Sequence, residues 1–227
     1  MGYTTDFFGE VTIDPPLNPQ EIAYLHRFSE SRRMHRAQGP YYANPGNNRG
    51  QSGTEILDYN APPQQQPDLW CHWVPTEDGS AICWNGAEKF YGSAEWMAYL
   101  IDTFLKPGAT VQQEMRALAT AGGTTAPALR QAQDGWVYPA EFAAFTFNHT
   151  VNGEIDASGE DPDDIWRLVV RDNVVSIQSG QITFAHETVL GGDTSPVQAT
   201  ATRMDQPSAE QPALTAGRPA LAAATTP

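Results

Sequence analysis

Hydrophobic and polar residues follow two distinct spacings in the segment from residue 69 to residue 104, first strand-like and then helical. Leu69–Val74 and Ala81–Trp84 are rich in aromatic and β-branched residues, and Asp78-Gly79 between them suits a tight hairpin. After Ser93, large apolar side chains recur at helical spacing as far as Phe104. The segment therefore predicts a β-hairpin followed by an amphipathic helix that Ser93 caps.

The N-terminal part of the chain predicts one strand and one helix. Tyr3–Ile13 contains several large apolar residues and is a candidate first strand. Asn18-Pro19-Gln20-Glu21 has the features of a helix start, with a capping Asn, Pro at the first helical position and Glu at the third. The apolar stripe that follows predicts a helix running on through residues 31–34.

Downstream of residue 140 the pattern is that of short strands joined by turns. Asn152-Gly153 and Asp172-Asn173 are hairpin signals. The strands are predicted at Phe142–Val151, Ile165–Arg171, Val174–Gln178 and Gln181–Phe184. Together these elements predict a C-terminal β-meander.

The order of strand, helix, two strands, helix and further strands predicts an α+β fold with an antiparallel sheet and two main helices. The same order fits a split βαβ (ferredoxin-like) plait that the meander extends. We expect a single domain over residues 1–190, with loop insertions at about 39–67 and 109–135 and a short helix near 111–119 in the second. Residues 191–227 are rich in Ala, Pro and Thr and predict a disordered tail, since they bury too little apolar surface.

The formal net charge of the 227 residues is −14. A strongly acidic protein repels phosphate backbones, so we expect no general nucleic-acid binding, while a basic partner stays open. The start of the chain does not resemble a signal peptide, and no apolar run has membrane-spanning length, which predicts no membrane association and a cytoplasmic location. Cys71 and Cys83 should project from opposite faces of the hairpin as free thiols.

The first candidate site is basic and consists of Arg32, Arg33 and Arg36. Guanidinium groups in this arrangement offer bidentate donors to a phosphate or carboxylate. Intramolecular pairing, with Glu30 or with the acidic segment described next, is the alternative interpretation. The cluster thus indicates either a site for an anionic small ligand or partner, or a structural charge network.

The second candidate is the acidic segment 154–164, which contains Glu154, Asp156, Glu160, Asp161, Asp163 and Asp164. Clustered carboxylates suit hard divalent cations. The spacing of an EF-hand is absent, however, and Pro162 suggests a turn. A solvated acidic turn is therefore favoured, and we predict no metal site.

The third candidate is the link between the hairpin and the second helix, where Glu88, Lys89 and Tyr91 bring a carboxylate, an ammonium and a phenol together. Strand-to-helix junctions often hold functional groups, but this one has no nucleophile paired with a base. Ordinary surface groups are the alternative. The chain also contains no phosphate-binding loop, dinucleotide fingerprint or catalytic histidine spacing, so no cofactor is predicted.

Several separated blocks resemble a family of uncharacterised proteins from bacteriophages and prophage-bearing bacterial genomes. The family patterns are a GYTT-x-F-x-G start, F-S-x-x-R-R-M-x-R, L-W-C-x-W, W-x-G-x-E-K-F-Y, and a G-E-D block followed by a D-N turn. Here they correspond to Gly2–Gly9, Phe28–Arg36, Leu69–Trp73, Trp84–Tyr91, Gly159–Asp161 and Asp172-Asn173. In the W-x-G-x-E-K-F-Y block, Ala87 stands where glycine is usual. The resemblance implies a phage context and no known activity.

These observations favour a non-enzymatic accessory protein that binds an anionic small ligand or a host protein through the arginines and the Glu88–Tyr91 junction. One alternative is a metal-dependent enzyme on phosphate-bearing substrates, with the arginines holding phosphate and with Glu160, Asp161 and Asp163 holding a divalent metal. Another is an acidic mimic of nucleic acid that inhibits a host protein. Whether the chain is an enzyme, and its oligomeric state, stay open.

Overall fold

The structure, a computed structural model, describes residues 2–43, 55–63, 65–121, 136, 138–186 and 188. The chain divides into two compact units, Met1–Thr183 and Phe184–Pro227. The elements below belong to the first unit. The predicted tail at residues 191–227 and much of both predicted loop insertions lie outside the described residues.

Eight strands and three α-helices are present in the described part of the first unit. The strands are β1 (Thr5–Asp14), β2 (His35–Arg36), β3 (Ile56–Asp58), β4 (Trp73–Pro75), β5 (Ala81–Trp84), β6 (Thr150–Gly159), β7 (Ile165–Arg171) and β8 (Val174–Ser179). The helices are α1 (Pro19–Glu30), α2 (Ser93–Leu100) and α3 (Thr110–Ala121). A π-helical turn, Ile101–Leu105, continues α2, and a 3₁₀ turn, Ala140–Ala144, precedes β6.

Six strands form one antiparallel sheet in the order β4-β5-β1-β6-β7-β8, and β2 pairs with β3 separately. Because every neighbour is antiparallel, β4 runs parallel to β1 with β5 between them, and β6 runs parallel to β5 with β1 between them. The segments β1-α1-β4 and β5-α2-β6 are therefore two split βαβ units. The α+β class with an antiparallel sheet is confirmed, and the strand order matches a plait extended by a β6-β7-β8 meander.

Helix α1 begins as predicted but ends earlier. The side chain of Asn18 accepts hydrogen bonds from the backbone N–H groups of Gln20 and Glu21, and Glu21 accepts one from the N–H of Asn18. The helix ends at Glu30 because Ser31 is extended, with φ −94° and ψ 123°. Beyond it, the N–H of Arg33 donates to Leu69 O, so a tertiary contact replaces the helical bond.

The start of α2 differs from the prediction in one detail. Gly92, with φ 62°, occupies the N-cap position and makes no side-chain cap, and Ser93 is the first helical residue. A positive φ is accessible to glycine without steric cost. The apolar stripe after it is buried as expected, with Trp96, Met97 and Leu100 at 2% exposure or less.

The hairpin predicted at Asn152-Gly153 is wrong, whereas that at Asp172-Asn173 is confirmed. Strand β6 continues through residues 152 and 153 because β1 pairs with it over its full length, from Thr5↔Gly159 to Asp14↔Thr150. Gly153 has φ 143°, and a Cβ there would lie 3.0 Å from Val11 Cα. The glycine thus allows close strand pairing instead of a turn. The strands predicted at 142–149 and 181–184 do not form.

The core lies on one face of the sheet, where alternate residues of β1 pack against the aromatic residues of the helices and of the 138–147 segment. Phe7, Val11 and Ile13 of β1 are at most 6% exposed. In the hairpin, Cys83 lies opposite Val74, and Cys71 is buried in the core. Both thiols are free, which confirms that prediction.

Candidate functional site

Arg33 is a buried anchor for the loop that follows β2. Its side chain, 2% exposed, donates from Nε to Gln66 Oε1 at 3.0 Å, from one terminal nitrogen to Tyr42 O at 2.8 Å and from the other to Pro40 O at 2.5 Å. The guanidinium carbon lies 3.9 Å from the centre of the Phe28 ring. Burial lowers the pKa of Arg33, although arginine stays charged in proteins. Its donors are committed to the chain's own oxygens.

Arg32 and Arg36 stack on tyrosines of the same region. The guanidinium carbon of Arg32, which is half-buried, lies 4.4 Å from the centre of the Tyr59 ring. Arg36 is 6% exposed and lies 5.0 Å from the centre of the Tyr42 ring. The three arginines are therefore brought together beside the β2–β3 pair, beyond the end of α1 instead of on it, and only Arg32 is substantially accessible.

The acidic segment 154–164 contacts the N-terminal segment of the chain and strand β7. Tyr3 Oη donates to Asp164 Oδ2 at 2.6 Å, and the backbone N–H of Thr4 donates to Glu160 Oε1 at 2.9 Å. Arg167 on β7 binds the carboxylates of Glu154 and Asp156. These bonds give the segment partners other than the arginines that the sequence suggested.

Glu88, Lys89 and Tyr91 are exposed side chains at the junction between β5 and α2, as the sequence suggested. A Cβ built on Gly2 would lie 2.7 Å from Lys89 Cε and 3.0 Å from Tyr91 Oη. The N-terminal segment thus passes Lys89 and Tyr91 as it approaches the acidic segment. The structure groups this junction with the acidic segment, and the arginines form a separate cluster.

Within the described residues, the face of β1 that points away from the core is exposed, and sequence reasoning missed this surface. On β1 the residues that alternate with the core positions are all exposed, namely Asp6, Phe8, Glu10, Thr12 and Asp14. Phe8 is 62% exposed in the middle of the strand. We call this side the open face. The alternate spacing of the polar residues Asp6, Glu10, Thr12 and Asp14 along β1 was a signal for it, since Phe8 shares their parity.

A cross-strand row on the open face borders a groove. The registers Phe8↔Asp156, Asp156↔Arg167 and Arg167↔Gln178 align four side chains across β1, β6, β7 and β8. The groove beside this row has a volume of about 380 Å³, and Ser158, Ser179 and Gly180 contribute to its lining. These small residues leave room next to the Phe8 ring, which also lines it.

Acidic groups dominate the open face. Asp6, Glu10, Asp14, Glu154 and Asp156 provide its carboxylates, and Arg167 and Arg171 provide its cations. Arg167 Nε lies 2.6 Å from Asp156 Oδ1, and its hydrogen bond lowers the pKa of that carboxyl. Glu10 lies directly opposite Glu154 across the strands. Arg167 and Arg171 are paired with carboxylates of β6, so the carboxylates of β1 contribute unbalanced negative charge.

A buried carboxylate and imidazole form a second group that the sequence did not reveal. Glu21 is 0% and His149 1% exposed, and Glu21 Oε1 lies 3.2 Å from His149 Nε2. The same carboxylate oxygen accepts from the N–H of Thr146 at 2.7 Å and from its hydroxyl at 2.9 Å. His149 Nδ1 lies 2.6 Å from Pro15 O. No local sequence motif predicts the Glu21–His149 pair, because the two residues lie far apart in sequence.

The bonding pattern of this pair favours its charged state. Burial on its own would raise the pKa of Glu21, but hydrogen bonds involving His149, Thr146 and Asn18 lower it overall. Burial would lower the pKa of His149, but the bonds to Glu21 and Pro15 O raise it. With both ring nitrogens facing acceptors, the imidazolium fits best. Because neither group is accessible, the pair cannot meet a substrate. It instead connects α1 to the start of β6.

Other reactive groups in the described ranges give no catalytic arrangement. Burial raises the pKa of the Cys71 thiol to about 12, which keeps it protonated. Among the residues that the structure describes, no group of three or more His, Cys, Asp or Glu side chains is arranged to hold a metal ion. No helix in those ranges is long and apolar enough to cross a membrane.

Comparison of the chain with protein-family models, with curated proteins and with solved structures finds no match in any of the three. The candidate function therefore depends on the geometry of the open face, the groove and the charge clusters.

Proposed function

We propose that this chain is a non-enzymatic binding protein that docks a basic protein partner on the open face of its sheet. The partner would place an apolar side chain against Phe8 and direct lysine or arginine side chains toward the carboxylates of β1. In keeping with the resemblance to phage proteins, the partner would be a host protein. The observation that carries this proposal is the exposure of Phe8 within an acidic strand.

The position of Phe8 supports binding because it is costly without a partner. A phenylalanine that is 62% exposed leaves most of its apolar surface in water. Scattered exposed apolar residues are common, but Phe8 also borders a groove of about 380 Å³ and is surrounded by polar groups. An aromatic anchor inside a polar rim is the arrangement of many protein interfaces.

Charge supports the choice of a basic partner. The whole chain carries −14, and the open face adds the carboxylates of Asp6, Glu10 and Asp14, which have no ion pair with another described residue, to the paired ones of β6. Such a field accelerates association with positively charged surfaces and repels negatively charged ones. The same field opposes binding of an anion on this face.

The arginine cluster supports the earlier hypothesis of an anionic small ligand less well. The guanidinium of Arg33 is bound to Gln66, Tyr42 and Pro40, and Arg36 is buried. A phosphate would have to displace these contacts. Arg32 with Glu88, Lys89 and Tyr91 stays accessible, so those four side chains are the part of the predicted site open to a ligand.

The test is a titration with a short peptide in which one phenylalanine is flanked by lysines, followed by fluorescence anisotropy at low salt. Phe8→Ser should weaken binding by about tenfold, which corresponds to about 1.4 kcal/mol. Leu57→Ser is the matched control, because Leu57 is 61% exposed but lies on the β2–β3 pair. Equal affinities of Phe8→Ser and wild type would contradict the proposal.

A second titration tests the charge argument. Glu10→Gln should weaken peptide binding and reduce its salt dependence, since it removes a carboxylate of the open face. Glu77→Gln, which changes an exposed carboxylate in the β4–β5 turn, is the control.

The same carboxylates suggest a second candidate function, a protein that mimics nucleic acid. Such a protein would compete with duplex DNA for a DNA-binding protein, whereas a simple peptide-binding protein would not.

A further inference from the structure

Strand β8 forms one edge of the six-stranded sheet, and its outer backbone groups have no strand partner in the described ranges. Among the described strands, Val174–Ser179 pairs with β7 alone. An edge of this kind presents a row of N–H and C=O groups that another strand can bind.

The register identifies which backbone groups face outward. The two-residue turn at Asp172-Asn173 makes Arg171↔Val174 the closing pair, and Gly180 N donates to Ile165 O at 2.8 Å. In an antiparallel ladder, alternate residues direct both backbone groups toward the neighbouring strand. Val174, Ser176 and Gln178 therefore bond to β7, and Val175, Ile177 and Ser179 direct their N–H and C=O groups away from the sheet.

The opposite edge of the sheet is protected in ways that β8 is not. Strand β4 covers only Trp73–Pro75, and it ends in a proline. Short edge strands and prolines block the addition of a further strand. Strand β8 has six residues, Val-Val-Ser-Ile-Gln-Ser, with no charge and no proline.

The side chains of β8 are also suited to a neighbouring strand. Val174 is 68% and Ile177 55% exposed, although both belong to the sheet. Gln178, Ser179 and Gly180 line the groove of the open face, so the edge and the groove are continuous. A segment bound along β8 would cover apolar surface and lie beside the groove at the same time.

We propose that β8 binds an extended segment of the basic protein partner as an added strand, with main-chain hydrogen bonds to Val175, Ile177 and Ser179. The basic character of this segment rests on the proposed function. A second copy of the chain is a poorer occupant, because each copy carries −14 and the copies repel one another. Main-chain bonds provide affinity in strand addition, and the alternate side chains provide specificity.

The experiment is residue-resolved amide hydrogen exchange of the full chain with a short peptide of alternating lysine and valine. With the peptide at about ten times its Kd, exchange at Val175, Ile177 and Ser179 should slow by about tenfold. Exchange at Val174, Ser176 and Gln178 should change little, since these amides already bond to β7. Binding that protects other strands and leaves the three outer amides unchanged overturns the proposal.

Two variants separate the backbone from the side chain. Ile177→Pro removes an outward N–H without removing a bond to β7, so it should weaken peptide binding by about tenfold while the sheet stays folded. Ile177→Ala is the matched control, and it should retain the protection of Val175 and Ser179. Equal peptide affinity of Ile177→Pro and wild type overturns strand addition. If Ile177→Pro unfolds the chain, the hydrogen-exchange pattern of the wild type decides whether strand addition occurs.

Failure of this proposal can be told apart from failure of the proposed function. Phe8→Ser with the lysine–phenylalanine peptide tests the open face, and the exchange of the outer β8 amides tests the edge. Protection of those amides without peptide would mean that the edge is already covered. If that protection rises with protein concentration the occupant is a second copy, and if it does not the occupant is the chain itself; either result overturns the proposal.

Discussion

The interior around α1 and the open face of the sheet both contain charged side chains that are hydrogen-bonded within the chain, but the two regions differ in what these groups contribute. Arg33 and the Glu21–His149 pair are almost fully buried, and each uses its hydrogen-bonding capacity on the chain itself. Arg167 has a side chain that is 42% exposed and binds two carboxylates that are themselves exposed. Solvent competes for the second kind of pair and not for the first.

The two regions differ in whether their charged groups are available to a ligand. In the interior, charge is committed to holding segments together, so a cluster that is conspicuous in the sequence is unavailable to a ligand. On the open face, charge is accessible, and the exposed ring of Phe8 lies among the carboxylates.

Removing the imidazole of His149 should have the largest effect on stability. His149→Ala leaves the carboxylate of Glu21 buried without its charged partner and opens a cavity, so the free energy of unfolding should fall by about 3–5 kcal/mol. Urea unfolding followed by tryptophan fluorescence measures it. A loss below about 1 kcal/mol would show that the pair behaves like a surface pair.

The buried pair should also make stability depend on pH. The raised pKa of His149 means that its contribution is fully present below the ordinary value of 6.5 and is lost as the pH rises through the folded value above it. The lowered pKa of Glu21 means that its contribution is present above 4.5 and is lost as the pH falls through the folded value below it.

The double variant Glu21→Gln with His149→Gln supplies the control for this pH dependence. Its urea midpoint should change less than that of the wild type between pH 6 and pH 9, because the imidazole that titrates in this range is gone. Parallel pH profiles of the two proteins would show that other groups cause the dependence.

Loss of Arg33 should have the next largest effect on stability. Arg33→Ala leaves Pro40 O, Tyr42 O and Gln66 Oε1 without their donor, which should cost about 3 kcal/mol. Thermal unfolding checks this. Arg32→Ala is the control, because it removes a stacking contact that contributes about 0.5–1 kcal/mol and two long hydrogen bonds to Tyr59 O, both at 3.4 Å, from a half-buried side chain. If Arg33→Ala folds normally and loses affinity for inorganic phosphate, the anchor role is wrong and the ligand hypothesis is supported.

Loss of Arg167 should have the smallest effect on stability. Arg167→Ala breaks exposed pairs with Glu154 and Asp156, so the free energy of unfolding should change less than in the preceding variants. The variant adds unbalanced negative charge to the open face, and binding of a lysine-rich peptide should become tighter at low salt. A large loss of stability here would remove the distinction between the two regions.

Local chemistry made several features of the fold predictable. The Asn18 to Glu21 capping box, the hairpins at Asp78-Gly79 and Asp172-Asn173, and the stripe of Trp96, Met97 and Leu100 all arise from residues close in sequence. Such patterns depend on backbone conformation and on helical or strand periodicity, which a few neighbouring residues determine. Their order along the chain was enough to predict the α+β class and the plait-like strand order.

What the sequence by itself determined was therefore the type and order of most elements, the acidic charge and the free thiols. Tertiary structure alone decided that Asn152-Gly153 lies within a strand, since ten residue pairs with β1 outweigh a local turn preference. It also decided that Arg33 is buried, that Glu21 meets His149 and that Phe8 faces solvent. Burial and long-range pairing depend on which distant segments meet, and only the folded chain brings those segments together.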